Sequence, residues 1–202
     1  MDQPDLAAVI GYCHEAGHLK QLKRAGWLLA GVRDPESVAE HSFRVGVLAY
    51  VIAVMEGANA DRAAALGLFH DVPETRTGDQ HSVGKRYVET PDPRQVAEDQ
   101  TAALPDELAR HIVALVAEHE GAKSTDATHE ARCSRDADKL ECLLQAREYQ
   151  REGYQQLEPW VTSMVDAVQT ETGKRLAHVA LEVSPSAWWD GFAATFGQSA
   201  GR

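Results

Sequence analysis

Apolar residues recur at helical spacing through most of the chain, and this periodicity constrains the fold more than any other feature. The longest apolar run, Val45 to Met55, follows one stripe of a helix. Ser37 lies just before this helix, and Glu40 three residues later completes a potential capping box. Gly57 supplies a stop signal at the other end. The pattern predicts a long core helix that begins at Val38.

The rest of the chain has the same character, so we predict an all-α fold. Strand signals are weak, because the β-branched clusters lie inside helical stripes. We expect one domain over residues 1–202, with a motif-bearing core at about 19–155 and C-terminal helices at about 156–202. Two stretches rich in Gly, Pro, Asp and Thr, 24–35 and 75–93, are expected to be irregular and functional. The predicted further helices cover residues 61–70, 95–103, 105–119, 127–150, 159–171 and 186–196.

Net charge narrows the classes of partner. The formal charge of −11 argues against binding to nucleic acid polymers or anionic membranes, which requires clustered Lys and Arg. No apolar run approaches the roughly 20 residues of a membrane span. Three cysteines form an odd count that fits reduced thiols, and we expect a cytoplasmic protein. A small anionic substrate remains compatible, because one metal ion and a few bases can reverse the field in a single pocket.

The segment His70-Asp71-Val72-Pro73-Glu74 carries the strongest chemical signal. Adjacent His and Asp side chains at the end of an apolar helix can reach one cation if the backbone turns there. Pro73 favours such a turn, because it disfavours the helical conformation at Val72 and lacks a backbone donor. Glu74 lies four residues after His70, and it could stand beside a metal ion without ligating it.

Two other helices offer matching donors, His41 near the start of one and Asp138 in the middle of another. Two imidazoles and two carboxylates would suit Mn²⁺, Co²⁺, Fe²⁺, Ni²⁺ or Zn²⁺. Carboxylates alone would have indicated Mg²⁺ or Ca²⁺. Spacing by itself leaves simpler interpretations open: His41 could cap its helix, and Asp138 could pair with Lys139 or Arg135.

Taken together, four segments resemble those of the HD-domain metal-dependent phosphohydrolases, most closely the branch of 5′-deoxynucleotidases. They occur in the family's order and span about residues 19–155. In some bacterial members the Arg and Trp of the first segment are adjacent, whereas Ala25 and Gly26 separate them here. The segments are Leu22-Lys23-Arg24-Ala25-Gly26-Trp27, Pro35-Glu36-Ser37-Val38-Ala39-Glu40-His41-Ser42, His70-Asp71-Val72-Pro73-Glu74 with Thr77-Gly78-Asp79, and Asp138-Lys139-Leu140-Glu141-Cys142-Leu143-Leu144-Gln145-Ala146 with Glu148-Tyr149.

The resemblance implies an HD helical bundle with a metal centre between core helices, one divalent transition-metal ion per subunit, and a homodimer. It implies that Trp27 lies against the sugar and disfavours a 2′-hydroxyl, while Arg24 holds the phosphate. Thr77 and Asp79 would line the nucleotide site. Lys85 is a positional candidate, a cation on the loop after Asp79. The implied metal ligands are His41, His70, Asp71 and Asp138, and the implied catalytic carboxylate is Glu74.

We therefore expect a metal-dependent phosphomonoesterase that hydrolyses (deoxy)nucleoside 5′-monophosphates to nucleoside and phosphate by attack of metal-activated water. A phosphate monoester is a dianion, so it needs positive groups besides the metal, and Arg24 and Lys85 are the candidates. The alternatives are a phosphohydrolase for another nucleotide or phosphorylated metabolite, a di-iron HD oxygenase, and a non-catalytic metal- or nucleotide-binding module. The sequence shows no second basic cluster for the extra phosphates of a triphosphate, and no second HD-like cluster for a second iron.

Overall fold

A computed structural model describes residues 3–199 and confirms the all-α fold class. No β-strand occurs in this range, where an isolated bridge joins Lys23 and Ser37. Residues 1–2 and 200–202 of the predicted domain lie outside the described residues. The α-helices are α1 Gln3–Gly17, α2 Ala25–Leu29, α3 Val38–Glu56, α4 Ala60–Phe69, α5 Glu74–Thr77, α6 Pro93–Thr101, α7 Asp106–Glu120, α8 His129–Arg151, α9 Glu158–Ala167, α10 Glu171–Glu182 and α11 Ala187–Ser199.

Helix α3 has the ends that the sequence predicts. The Ser37 hydroxyl accepts a hydrogen bond from the Glu40 backbone N–H, and the Glu40 carboxylate accepts one from the Ser37 backbone N–H. Gly57 ends the helix with a φ of 73°, in the left-handed region that favours glycine. These caps fix where α3 begins, and therefore fix the position of His41 in its first turn.

Helices α3, α4 and α8 form the centre of the bundle. The main core cluster includes Val45 and Ile52 of α3 together with Leu140 and Leu143 of α8, all buried. Helices α3 and α4 approach each other closely at two glycines: a Cβ atom on Gly67 would lie 3.2 Å from the Cα atom of Gly46. This close crossing brings the side chains of α3 next to those at the end of α4.

Helix α3 is also the one helix among residues 3–199 that is long and apolar enough to cross a membrane by length and composition. About 44% of the apolar stretch of α3 that meets these criteria is buried inside the bundle. The core helix of a soluble protein also meets criteria of length and composition. The expected absence of a membrane partner stays a prediction.

The chain turns sharply after α4. His70 is the C-cap of α4, Pro73 is the N-cap of α5, and Val72 between them is buried against Leu19 and Val38. This tight connection presents His70, Asp71 and Glu74 from a single turn of backbone.

The helices differ from the predicted ones in several places. Helices α1 and α10 were not predicted, α2 falls inside the stretch 24–35 that was expected to be irregular, and α5 overlaps the stretch 75–93. The predicted helix 159–171 ends at Ala167, because Val168 adopts an extended backbone, and Thr170 then caps α10. Buried Asp136 stabilises this break, since its carboxylate accepts hydrogen bonds from the backbone N–H groups of residues 169 and 170 at 2.9 and 2.7 Å.

Candidate active site

His41 is fully buried and is oriented by a carboxylate on α8. Its Nδ1 donates to Glu141 Oε2 at 2.5 Å, and Arg44 in turn donates to Glu141 Oε1 at 2.9 Å. The other ring nitrogen, Nε2, is buried and has no hydrogen-bond partner among the described residues. His41 therefore directs a free Nε2 towards the carboxylates that it faces, Asp71 and Asp138.

His70 has the same arrangement with a different partner. Its Nδ1 lies 2.8 Å from the backbone carbonyl oxygen of Gly67, and this contact requires a proton on Nδ1. The opposite nitrogen, Nε2, lies 3.1 Å from Asp71 Oδ2. The rings of His41 and His70 are 5.5 Å apart between centroids. Both imidazoles thus offer Nε2 to the same small volume, with Nδ1 fixed by a partner behind it.

The two aspartates complete the cluster. His41 Nε2 lies 3.6 Å from Asp71 Oδ2 and 3.3 Å from Asp138 Oδ1. The second oxygen of Asp138, Oδ2, forms an ion pair with Lys139 Nζ at 2.7 Å. The simpler interpretation of Asp138 as a partner of Lys139 therefore also holds. The fold therefore brings together all four residues predicted as metal ligands.

This donor set fits a divalent cation. With Nδ1 protonated in both rings, the Nε2 lone pairs face carboxylate oxygens, and acceptors facing acceptors repel each other unless a cation lies between them. Burial and Arg24 lower the pKa of His41, yet Glu141 and Asp138 outweigh them and hold that pKa well above its ordinary value. A site that attracts a proton so strongly has the charge to attract a metal ion.

Cys142 is a fifth candidate donor near the same atoms, because its sulfur groups with His41 and Asp138. Burial raises the pKa of the Cys142 thiol to about 11, although Arg24 opposes the shift. The thiol is therefore protonated near neutral pH, and a protonated thiol is a poor metal ligand.

Glu74 stands beside the cluster without pairing to any described cation. Its Oε2 atom is buried and has no hydrogen-bond partner among residues 3–199. Burial raises the pKa of Glu74 to about 9, and the nearby charges of Asp71 and Asp79 add to the effect. A carboxyl group in this state can hold a proton at neutral pH and exchange it with a bound molecule.

Arg24 reaches the cluster from the chain segment before α2. Its Nη1 lies 3.4 Å from Asp71 Oδ2 and 3.7 Å from Asp79 Oδ1. Asp79 also accepts a 2.6 Å hydrogen bond from the Ala25 backbone N–H at the start of α2. Asp79 therefore anchors Arg24 and α2, a structural role that the sequence did not indicate.

Trp27 is 3% exposed and is fixed on two sides. Its indole N–H donates to Glu36 Oε1 at 2.9 Å, and its ring meets Tyr149 edge to face with centroids 5.4 Å apart. The Tyr149 hydroxyl accepts a hydrogen bond from the Glu36 backbone N–H at 2.8 Å. These contacts hold the indole rigidly where it lines the cavity above the cluster.

A cavity of about 640 Å³ opens over the cluster. The predicted residues Thr77 and Lys85 line it together with Arg24, Trp27 and Asp79. The Thr77 hydroxyl donates to the backbone oxygen of residue 78 at 3.3 Å, so its observed contact is local. A volume of this size falls within the usual range for small-molecule sites.

Four functional candidates were missed from the sequence. Glu141 and Arg44 orient His41, and buried His119 stacks on His70 with ring centroids 4.7 Å apart. Burial lowers the pKa of His119 to about 3, and His70 adds to the shift, so this ring is neutral at physiological pH. The fourth candidate is Arg135, which lines the cavity. Each has an unremarkable residue type in sequence, and only the tertiary contacts reveal its position.

Three cations that lie apart in the sequence also line the cavity. Lys123, Arg135 and Lys139 line the cavity on the side formed by α7, α8 and the turn between them. These residues are 16 positions apart at the extremes, and the helix pairing that unites them has no signature in the linear sequence.

An all-helical bundle with a buried His/Asp cluster under a small-molecule cavity defines a metal-binding enzyme class. The chain belongs to the HD domain family, whose model matches residues 16–180. The resemblance predicted from the four segments is thereby confirmed.

Curated relatives carry a specific activity in their names. The chain is 32% identical over 145 residues to the human 5′-deoxynucleotidase HDDC2, covering 71% of this chain and 69% of that protein. It is 31% identical over 148 residues to the 5′-deoxynucleotidase HDDC2 of Dictyostelium discoideum, covering 69% of this chain and 76% of that protein.

Solved structures agree on the fold. A predicted metal-dependent phosphohydrolase from Magnetospirillum magnetotacticum is 26% identical with a TM-score of 0.66, covering 89% of this chain and 91% of that chain. An HD phosphohydrolase of cyanophage S-2L, bound to dA and one catalytic Zn²⁺ ion, is 20% identical with a TM-score of 0.51. It covers 84% of this chain and 93% of that chain, and at this identity the likeness shows the fold alone.

Proposed function

We propose that this protein is a metal-dependent phosphomonoesterase that hydrolyses deoxynucleoside 5′-monophosphates to a deoxynucleoside and phosphate. The observation that carries the proposal is the convergence of two imidazole Nε2 atoms and two aspartates next to one cavity, which His70, both aspartates and Glu74 line. The relatives named 5′-deoxynucleotidases support the choice of reaction and substrate.

His41, His70, Asp71 and Asp138 would hold one divalent ion. Their mixed nitrogen and oxygen donors favour Mn²⁺, Co²⁺, Fe²⁺, Ni²⁺ or Zn²⁺. When bound, such an ion lowers the pKa of a coordinated water and polarises a phosphoryl oxygen. Glu141 and the backbone carbonyl of Gly67 keep the two rings in the required tautomer.

Glu74 is the proposed proton-transfer group. Glu74 lines the cavity beside the predicted ligands and keeps one buried oxygen without a hydrogen-bond partner among residues 3–199. General acid–base catalysis requires a carboxyl group within reach of the reacting oxygens. We expect Glu74→Gln to retain the metal and lose turnover by a factor of about 10²–10⁴. Atomic spectroscopy measures the metal content, and a phosphate-release assay on the same sample measures turnover. Together they test both parts of this expectation.

Trp27 is the proposed sugar discriminator. Because Glu36 and Tyr149 hold the indole in place, the ring can exclude a 2′-hydroxyl instead of moving aside. Trp27→Ala should lower the preference for deoxy- over ribonucleotides. An unchanged ratio of kcat/KM values for the two sugars would remove Trp27 from the sugar site.

Phosphate release from a panel of deoxy- and ribonucleoside 5′-monophosphates tests the proposal. Chelator-stripped protein is assayed after adding back each of the five candidate ions or Mg²⁺, with nucleoside triphosphates and bisphosphates as comparison substrates. Metal-restored release that favours deoxynucleoside monophosphates supports the proposal. Activity confined to another substrate class would overturn it, as would complete inactivity of protein that is shown to bind metal.

A cytoplasmic location and a homodimer belong to the same proposal. The three cysteines are free thiols, which supports a reducing compartment. The outer face of α3 exposes Phe43, Val47 and Val54, a helical stripe that a second subunit could cover. Light scattering coupled to size-exclusion chromatography measures the oligomeric state, and a monomer at micromolar concentration would contradict the dimer.

A further inference from the structure

Arg135 is a cation in the cavity that the predicted site does not use. It lies on α8 one turn before Asp138, is half-buried, and lines the same cavity. Its Nε atom is buried and has no hydrogen-bond partner, and no carboxylate within residues 3–199 forms an ion pair with it. A partly buried guanidinium without an acceptor is unfavourable, so its position calls for an anion.

Two cations beside the cluster already have carboxylate partners. Arg24 contacts Asp71 and Asp79, and Lys139 contacts Asp138. These pairs offset the charge of the carboxylates, so neither cation is fully available to a dianionic phosphate. Arg135, like Lys85 and Lys123 on the same cavity, forms no ion pair among residues 3–199, and of these three it lies nearest to Asp138 along α8.

The surroundings of Arg135 also favour an anion. The ring of His119 lies close enough for the two groups to affect each other's charge, and burial keeps that imidazole neutral. Glu120 lies at the cavity wall and forms no ion pair with Arg135 in the described structure. Lys123, an exposed residue that also lines the cavity, is a second cation without an ion pair among residues 3–199.

We propose that Arg135 binds the non-bridging oxygens of the substrate's phosphate group. This inference rests on the proposed function, and it assigns the main phosphate contact to Arg135 instead of Arg24. Residues three apart on a helix have Cβ atoms roughly 5–6 Å apart, so Arg135 reaches the region beside Asp138 where the phosphate must lie. The planar guanidinium matches two phosphate oxygens at once, which a lysine cannot do.

The test compares three variants of metal-loaded full-length protein. Arg135→Gln removes the charge, Arg135→Lys restores it without the planar fork, and Arg132→Gln is the matched control. Arg132 lies one turn earlier on α8, donates to the Thr125 backbone oxygen, and does not line the cavity. The dissociation constant of inorganic phosphate is measured by calorimetry, and KM and kcat are measured with a deoxynucleoside monophosphate.

We expect Arg135→Gln to weaken phosphate binding and to raise KM by at least tenfold each, the size typical of a lost charge-assisted contact. Arg135→Lys should recover part of the loss, and Arg132→Gln should match the wild type. A melting temperature for each variant confirms that it is folded, and Arg135→Lys keeps the test decisive if Arg135→Gln is unstable.

Several outcomes separate this inference from the proposed function. If the wild type hydrolyses deoxynucleotides and Arg135→Gln keeps the phosphate affinity and KM of the control, the inference is wrong and the function stands. If no nucleotide is hydrolysed but phosphate affinity still falls tenfold in Arg135→Gln, the anion site stands and the function is wrong. Equal phosphate affinity in all variants overturns the inference whatever the activity.

Discussion

Glu141→Gln should weaken metal binding without unfolding the protein. The Glu141 carboxylate accepts from His41 Nδ1 on one oxygen and from Arg44 on the other, and it is fully buried. Glutamine keeps the shape and one acceptor oxygen but removes the negative charge. His41 would then remain in place as a weaker electron donor towards the ion.

The structure sets the expected size of this effect. Loss of a hydrogen-bond partner behind a metal ligand typically costs 10–100-fold in metal affinity. Because a neutral hydrogen bond to His41 remains possible, and charge-assisted bonds are roughly twice as strong as neutral ones, we expect the lower end, about tenfold. This factor corresponds to about 1.4 kcal/mol.

The assay measures activity against buffered free metal concentration for the wild type, Glu141→Gln and Glu148→Gln. Glu148 also pairs with Arg44, at 2.7 Å, but it does not contact His41, so it serves as the matched control. We expect the half-saturating metal concentration to rise about tenfold in Glu141→Gln alone, with kcat recovering at high metal. A half-saturating concentration within twofold of the control would refute the reasoning.

Three further predictions address stability and reactivity. The Arg76 hydrogen bond lowers the pKa of Glu15, so this group stabilises the fold at neutral pH, and the contribution is lost as the pH falls below about 4.5 through the lowered pKa. Glu15→Gln should therefore unfold about 1 kcal/mol more easily at pH 7 in urea titrations, with no difference in strong acid; a gap that persists at low pH would contradict this. Cys13 is exposed, whereas burial raises the pKa of Cys133 to about 12 and that of Cys142 to about 11, so a thiol reagent at pH 8 should modify the native wild type and leave Cys13→Ser unmodified. A divalent ion at 100 times its dissociation constant should raise the free energy of unfolding by about 2.7 kcal/mol, and the absence of any thermal shift with all tested ions would argue against a folded-state metal site.

Much of the fold could be predicted because local signals agreed with tertiary packing. The capping box at Ser37 and the glycine stop at Gly57 give the boundaries of α3 without knowledge of any partner. Helix α1 escaped prediction because it buries none of its residues fully and has no strong apolar stripe. The break between α9 and α10 depends on Asp136, a distant carboxylate whose contact with residues 169 and 170 no local pattern reveals.

The candidate site likewise contains residues that the sequence identified and residues that it did not. Residues with unusual chemistry in sequence, such as the His70-Asp71 pair and Glu74, were visible as candidates, and the fold brings them next to His41 and Asp138. Residues that act through others were not visible. Asp79, predicted to line a nucleotide site, does line the cavity, but its contacts with Arg24 and with the start of α2 were not visible in the sequence. Which neighbour a charged side chain faces depends on helix packing, and the sequence alone does not specify that.

A crystal structure of the Glu74→Gln variant with a divalent ion and a deoxynucleoside 5′-monophosphate would test the central claim most directly. Anomalous scattering at the absorption edge of the ion would locate it independently of the protein atoms. The account predicts one ion bonded to Nε2 of His41 and His70 and to the carboxylates of Asp71 and Asp138, with the phosphate on that ion. An ion at any other position, or a nucleotide bound with its phosphate away from these four residues, would contradict it.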